Sequence, residues 1–204
     1  DNGLDYESYG TKWTSPSGPL AAYSCQRNNL NATWASQAVA GHDAVTASGI
    51  PYMGTTDWGE DFSLSVINHI LSFAMKTGHG YSQWGYVFPA TSPSGVADTG
   101  CGGSACHHPI HNGDILILDA SFDCSGYTTI GQKVCAQFKR GIILRDQAGG
   151  YTPTLGLTTN GTKGANYTTD LKPFFSAVGP SQLHVIQEGT IKCAYGHTLG
   201  VDCW

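Results

Sequence analysis

The sequence predicts a β-rich α+β fold: a single-domain sandwich or irregular barrel with one or two short helices and disulfide-stapled loops. Three observations favour this class: only 12% of residues are charged, 27 are glycines, and short apolar runs alternate with segments of turn-forming residues. Such a composition is typical of a loop-rich β domain and unlike that of a helical bundle. Residues 1–204 are predicted to form one domain, because this length supports one sizeable core and is short for two.

The centre of the scaffold is predicted to be a strand, a helix and a second strand in succession. Residues 113–123 are the most apolar run and predict a buried strand. Residues 131–140 have apolar side chains at helical spacing and a cationic last turn, and Gly141 follows as a stop signal. Residues 141–146 predict the second strand.

Weaker patterns predict the remaining elements. Two periods compete in residues 64–75, and the alternating one is preferred, because residues 76–80 have the composition of a hairpin connection. The other predicted elements are an irregular surface arm over residues 1–18, an edge strand over 20–25, a strand over 84–89, a short helix over 169–178 and a last strand over 181–187.

Cysteines and glycosylation sequons together indicate a secreted, extracellular glycoprotein of a fungus-like eukaryote. The chain has seven cysteines, and neighbouring residues suggest the pairs Cys101–Cys106, Cys124–Cys135 and Cys193–Cys203, leaving Cys25 either free or a sign of different pairing. Sequons for N-glycosylation begin at Asn31, Asn160 and Asn166. The sequence begins at Asp1 without a leader-like run, and we interpret it as a processed form.

Charge and motif content exclude several classes of partner. The net charge of −5 offers no basic surface for nucleic acid or anionic lipid. No apolar run has the length of a membrane span. No phosphate-binding loop, dinucleotide fingerprint or Gly-x-Ser-x-Gly elbow occurs, so we expect no cofactor. The expected partner is a polysaccharide or oligosaccharide, and the chain is expected to be a monomer.

The candidate catalytic residues are carboxylates. Residues 55–61, here called the acidic turn, hold the densest group of acids in the chain. Glycoside hydrolysis needs two carboxyl groups flanking the scissile bond, one protonated and one ionised. Asp57 and Glu60 are the predicted acid and base, with Asp146 in reserve. The alternative is that these acids cap a turn or bind a structural calcium ion.

Aromatic side chains near the acidic turn are candidates for binding sugar rings. Tyr52, Trp58 and Trp84 are the predicted stacking residues, and His69 is predicted to contact the substrate beside them. A lone histidine in an apolar run is more often a packed, hydrogen-bonded core residue, and this alternative stays open for His69.

Two other motifs point to different chemistry. Cys101, Cys106, His107, His108 and His111 form a cluster of metal-ligand types, but the cysteines are expected to pair with each other, so no metal site is predicted. Residues 123–126, Asp-Cys-Ser-Gly, are similar to the start of cysteine peptidases that cut cell-wall peptides. The His-Val-Gly strand of those enzymes is missing, and Cys124 is expected to be oxidised.

Several segments, in order, resemble a family of secreted or exported bacterial and fungal proteins. They cover residues ~40–190, and each is short and only moderately specific. The family's corresponding segments are Asp-Ala-Ala-Gly-Leu-Pro (44–51), a Tyr-Asp-Glu turn (57–61), Ile-x-His-Ala-Leu-x-Phe (67–73), Tyr-Val-x-Pro-Ala (86–90), Leu-Lys-Ala-Ser-Phe-Asp (116–123) and Gly-Met-Ile-Leu-Ala-Asp (141–146). Asp119 replaces the family's lysine. The resemblance implies one compact extracellular domain and supplies no activity.

The function predicted from these observations is extracellular carbohydrate action, with hydrolysis of a cell-wall polysaccharide through paired carboxylates as the leading hypothesis. The alternative is a non-catalytic protein, either a carbohydrate-binding module or a secreted effector. Substrate cleavage distinguishes the two classes.

Overall fold

The structure, a computed structural model, describes residues 4–9, 12–13, 15, 18, 20–22, 24–29, 31, 48–50, 61–76, 81–93, 110–148, 166–186 and 189–193. These residues form a β-rich α+β fold with two short α-helices. The helices are α1 (Thr129–Arg140) and α2 (Lys172–Ala177). The strands are β1 (Leu4–Tyr9), β2 (Lys12–Trp13), β3 (Leu20–Ala21), β4 (Ser24–Asn29), β5 (Leu71–Lys76), β6 (Tyr81–Tyr86), β7 (Ile110–Asn112), β8 (Ile115–Leu118), β9 (Ile142–Ala148), β10 (Leu183–Ile186) and β11 (Lys192–Cys193).

Two mixed sheets dominate the described part of the chain. The four-stranded sheet has the order β10-β8-β9-β5, in which β9 pairs antiparallel with β8 and parallel with β5. The three-stranded sheet has the order β11-β6-β7, in which β6 pairs parallel with β7 and antiparallel with β11. Two small antiparallel ribbons, β1–β4 and β2–β3, complete the described pairings, and none of these sheets closes into a barrel.

The predicted order of strand, helix and strand is confirmed as β8, α1 and β9. The bounds differ: β8 ends at Leu118 and not at residue 123, because a turn follows in which the backbone N of Phe122 donates to Asp119, and α1 begins two residues earlier than predicted. Helix α1 begins at Thr129 because the Thr128 side chain accepts a hydrogen bond from the backbone N of Gly131, at 3.3 Å. It ends at Gly141, whose φ of 124° lies in the region that favours glycine. The helix covers one face of the four-stranded sheet, since its buried side chains pack with those of β8 and β9.

The main hydrophobic core lies between that sheet and the two α-helices. Its fully buried side chains come from β5, β8, α1, β9, α2 and the segments beside them. The largest of these are Phe73, Phe138, Phe174, Ile67, Leu71, Leu118, Ile142, Leu144, Leu171 and Val134. A second, smaller core of Ile50, Tyr86, Ala90 and Ile143 joins β6 to β9.

The prediction of an irregular arm over residues 1–18 was wrong for the described residues. Strand β1 pairs with β4 over six residues, from Leu4 opposite Asn29 to Tyr9 opposite Ser24, and β2 pairs with β3. The ribbon is polar and Tyr6 is 68% exposed, so it carries little of the apolar signal that marks a core strand.

The predicted hairpin through residues 76–80 was also wrong. Strand β5 pairs with β9, whereas β6 pairs with β7 and β11, so the two strands belong to different sheets. The strand predicted over residues 64–75 begins only at Leu71; a 3-10 turn (Asp61–Ser63) and an irregular stretch precede it. Tertiary partners decided both outcomes, because local composition does not specify which strands pair.

We predict that Gly113→Ala destabilises the protein by about 1–3 kcal/mol. Gly113 has a φ of +95°, and a Cβ there would lie 2.0 Å from the backbone oxygen of Val87. Urea denaturation measures the change. Gly189→Ala (φ +106°, with open space) isolates the cost of the dihedral alone, and Gly126→Ala, with neither constraint, serves as the neutral control. Equal midpoints for Gly113→Ala and Gly126→Ala would contradict the geometry.

Candidate functional site

The last acid of the acidic turn is held by a histidine. Asp61 begins the 3-10 turn and is buried, with 8% of its surface exposed. Its Oδ2 lies 3.0 Å from Nε2 of His69, and Nδ1 of His69 lies 3.2 Å from the backbone oxygen of Ile70. Both ring nitrogens are thus within hydrogen-bonding distance of protein oxygens. The imidazole therefore fixes the Asp61 carboxylate at the end of the acidic turn.

Helix α1 contacts residues 61–70, the segment that begins with Asp61 and is here called the anchored segment. Nζ of Lys133 donates to the backbone oxygen of Phe62 at 2.6 Å, and Nη1 of Arg140 donates to that of Ile67 at 2.9 Å. Phe62 and Ile67 also bury their side chains in the main core. Two charge-assisted hydrogen bonds and two core side chains thus hold the anchored segment against the helix.

The predicted site residues are only partly described. Asp146 lies on β9 opposite Ala74, and Trp84 lies on β6, with neither side chain among the described groups. His69 is the predicted site residue whose contacts the structure describes. The others, Tyr52, Asp57, Trp58 and Glu60, lie outside the described residues.

A second histidine–aspartate pair is buried at the turn between β7 and β8. Asp114 has no exposed surface, and its Oδ2 accepts from the backbone N of His111 at 2.7 Å and lies 3.2 Å from Nδ1 of the same residue. The backbone N of Gly113 donates to Leu144 on β9. The carboxylate thus holds the turn to His111, while backbone hydrogen bonds of Gly113 and Asp114 with Leu144 hold the turn to β9.

Asp119 and Asp123 accept hydrogen bonds that stabilise their ionised forms. The backbone N and the hydroxyl of Ser121 donate to Oδ1 of Asp119 at 2.8 and 2.7 Å, and Nε2 of His184 lies 3.6 Å from its Oδ2. The Ser121 bonds, with a smaller contribution from His184, lower the pKa of Asp119 below its usual 3.8. Ser125 likewise lowers the pKa of Asp123. Since the Asp119 carboxylate lies between hydroxyl and imidazole, this group is not a Ser-His-Asp triad.

We predict that the turns held by Asp119 and Asp123 lose stability as the pH falls below about 3.8. A carboxyl group with a lowered pKa in the folded state contributes stability above its unfolded pKa and loses it as the pH falls through the folded pKa. NMR titration of the carboxyl carbons measures each group. Ser121→Ala should raise the pKa of Asp119 part of the way to 3.8 and leave Asp123 unchanged, and Ser125→Ala should do the reverse. An unchanged Asp119 titration in Ser121→Ala would contradict the assignment.

Cys124 and Cys135 form a disulfide, with their Cα atoms 5.9 Å apart. The predicted pair is confirmed, and a cysteine-nucleophile reaction at Cys124 is excluded, because a disulfide sulfur is not a thiolate. Cys193 is also disulfide-bonded, to a partner outside the described residues. Cys25 is a free, exposed thiol. The other predicted pairing residues, Cys101, Cys106 and Cys203, lie outside the described residues.

Neither a three-ligand metal cluster nor a membrane-spanning helix occurs among the described residues. No three His, Cys, Asp or Glu side chains in the described ranges lie close enough together to hold a metal ion. The described helices, α1 and α2 included, lack the length and apolar character needed to cross a bilayer.

Sequence reasoning missed the partners of His69 and His111 and the two hydrogen bonds from the cationic side chains of α1. Asp61 lies eight positions before His69, and Lys133 and Arg140 lie 71 and 73 positions from the carbonyls they bind. No local pattern specifies such contacts. Asp114 and His111 are only three positions apart, and that spacing in a turn before an apolar run was the one available signal.

Comparison of the chain with protein-family models, with curated proteins and with solved structures returned no match. Function is therefore inferred from the residues and their contacts.

Proposed function

We propose that this protein is a secreted, carbohydrate-active enzyme that hydrolyses a cell-wall polysaccharide with the carboxylates of the acidic turn. The observation that carries the proposal is the anchoring of the turn's last residue: Asp61 is buried and its carboxylate is 3.0 Å from the imidazole of His69. Catalytic groups act efficiently when rigid neighbours hold them in the productive geometry. The anchored segment provides such a rigid neighbour at the C-terminal end of the acidic turn.

In this proposal the acids have separate tasks. Asp57 and Glu60 act as general acid and base on the glycosidic bond, with Asp146 in reserve. Tyr52, Trp58 and Trp84 stack on sugar rings. His69 contacts the substrate beside these rings and also positions Asp61, whose carboxylate lies 3.0 Å from its Nε2.

A secretory origin and a sandwich arrangement are parts of the same proposal. The Cys124–Cys135 disulfide and the second disulfide at Cys193 support an oxidising compartment. Tyr86 of β6 packs with Ile143 of β9, which supports a face-to-face arrangement of the two mixed sheets. Membership of the exported-protein family is proposed on the resembling segments alone.

The test is a panel of purified polysaccharides incubated with the secreted protein, with detection of new reducing ends. Release of reducing ends from one member supports the hydrolase. Saturable quenching of tryptophan fluorescence by a sugar that is not cut would instead support the non-catalytic carbohydrate-binding module. If no polysaccharide is cut and no sugar binds, the secreted-effector alternative remains.

A further inference from the structure

Asn166 caps the helical segment that leads into α2. Its side-chain oxygen and its backbone N form hydrogen bonds within this segment. Its Oδ1 accepts from the backbone N of Thr168 at 3.0 Å and of Thr169 at 3.3 Å, and its own backbone N donates to Oδ2 of Asp170 at 2.8 Å. This reciprocal arrangement is a helix cap. The π turn (Tyr167–Leu171) that it begins continues directly into α2.

The same cap is linked to the start of α1. Oδ1 of Asp170 accepts from the hydroxyl of Thr128 at 2.8 Å, and Thr128 is the residue that caps α1. One carboxylate thus joins the first residues of two helices. A change that removed the Asn166 cap would therefore disturb the contact between the two helix N-termini as well as the start of one helix.

The reactive ends of the sequon Asn166-Tyr167-Thr168 are left free by these bonds. Both Asn166 and Thr168 are exposed, and within the described part of the chain no hydrogen bond engages Nδ2 of Asn166 or the hydroxyl of Thr168. The amide nitrogen that accepts a glycan and the hydroxyl that the sequon requires therefore face solvent, while the amide oxygen holds the helix.

We propose that Asn166 carries an N-linked glycan and that the helix cap persists beneath it. The inference rests on the secretory origin in the proposed function and not on hydrolysis. In the transfer, Nδ2 forms a bond to the anomeric carbon of an oligosaccharide carried on a lipid diphosphate. The anomeric carbon–oxygen bond breaks, the lipid diphosphate leaves with the electron pair, and Nδ2 loses one of its two protons. The product is still an amide, so its Oδ1 accepts the same hydrogen bonds.

The experiment secretes the full chain from eukaryotic cells behind a heterologous signal sequence, with the other sequons removed by Thr33→Val and Thr162→Val. Intact mass and peptide mapping, before and after release by a peptide N-glycosidase, should place one glycan at Asn166. Thr168→Val is the matched control, because it removes the sequon and keeps the backbone N–H that the cap uses. A secreted, folded chain unmodified at Asn166 would overturn the proposal.

Urea midpoints test the second half of the inference. The glycosylated protein, the Thr168→Val variant and Asn166→Asp should have closely similar midpoints, since each keeps an oxygen that caps the helix. Asn166→Ala should have a lower midpoint. A glycosylated protein whose midpoint falls to that of Asn166→Ala would contradict a persistent cap. Glycan occupancy is independent of sugar cleavage, so an inactive but glycosylated protein would refute only the hydrolase.

Discussion

Replacing Asp57 by asparagine or Glu60 by glutamine is expected to lower the rate of polysaccharide cleavage by about 10²–10⁴-fold. Each change removes a carboxyl group that takes part in proton transfer or charge stabilisation, and keeps the size and hydrogen-bonding shape of the side chain. The measurement is the initial rate of reducing-end release on the best substrate of the panel. Circular dichroism and the urea midpoint must match those of the wild type.

Matched carboxylate variants make this result specific. Asp123→Asn changes an exposed acid in a turn where its Oδ1 accepts from the backbone N of Ser125, and asparagine fills the same role. Its rate should equal that of the wild type. If Asp57→Asn and Glu60→Gln both cleave as fast as Asp123→Asn, the acidic turn has no part in the reaction.

Phe174→Ala is expected to destabilise the fold by about 3–5 kcal/mol. The side chain has no exposed surface. Its ring lies edge-on to those of Phe122, Tyr127 and Phe138, with centroids 6.1, 5.6 and 5.0 Å away. Truncation removes the ring contacts of Phe174 with α1 and with the segment before it, and leaves a cavity that rigid neighbours fill poorly.

The urea dependence of unfolding, compared at equal m-values, measures this loss. Phe174→Leu retains much of the volume and should cost markedly less. Tyr167→Ala removes an aromatic ring that is 52% exposed in the preceding turn, and we expect a change within about 0.5 kcal/mol. A Phe174→Ala variant as stable as Tyr167→Ala would mean that α2 does not pack on the core as described.

The parts of the fold that sequence reasoning predicted are those with strong local signals. Helix α1 has a threonine cap, a regular apolar stripe and a glycine stop within a short stretch. Strand β8 is a continuous apolar run, and β9 begins with the apolar residues Ile142, Ile143 and Leu144. The short helix near residue 170 was also predicted, but its cap is Asn166 and not Thr169. Local patterns fix the kind of element better than its first residue.

The parts that were missed depend on distant partners. Strand β5 pairs with β9, about 70 residues later in the chain, so the composition of residues 76–80 suggested a false hairpin. At the candidate site, the His69–Asp61 contact and the two hydrogen bonds from α1 are tertiary contacts, which sequence periodicity does not predict. The sequence indicated that acids gather near residue 60, and the structure added what holds the last of them.

The central proposal is that Asp57 and Glu60 of the acidic turn act together on one glycosidic bond. An experimental structure with a bound oligosaccharide tests it most directly through the separation of the Asp57 and Glu60 carboxyl groups. We expect the two carboxyl groups to lie on either side of one glycosidic bond, about 5–10 Å apart, with Asp61 still bound to His69. Carboxyl groups that point away from the sugar into bulk water, or that together enclose a structural cation, would contradict it.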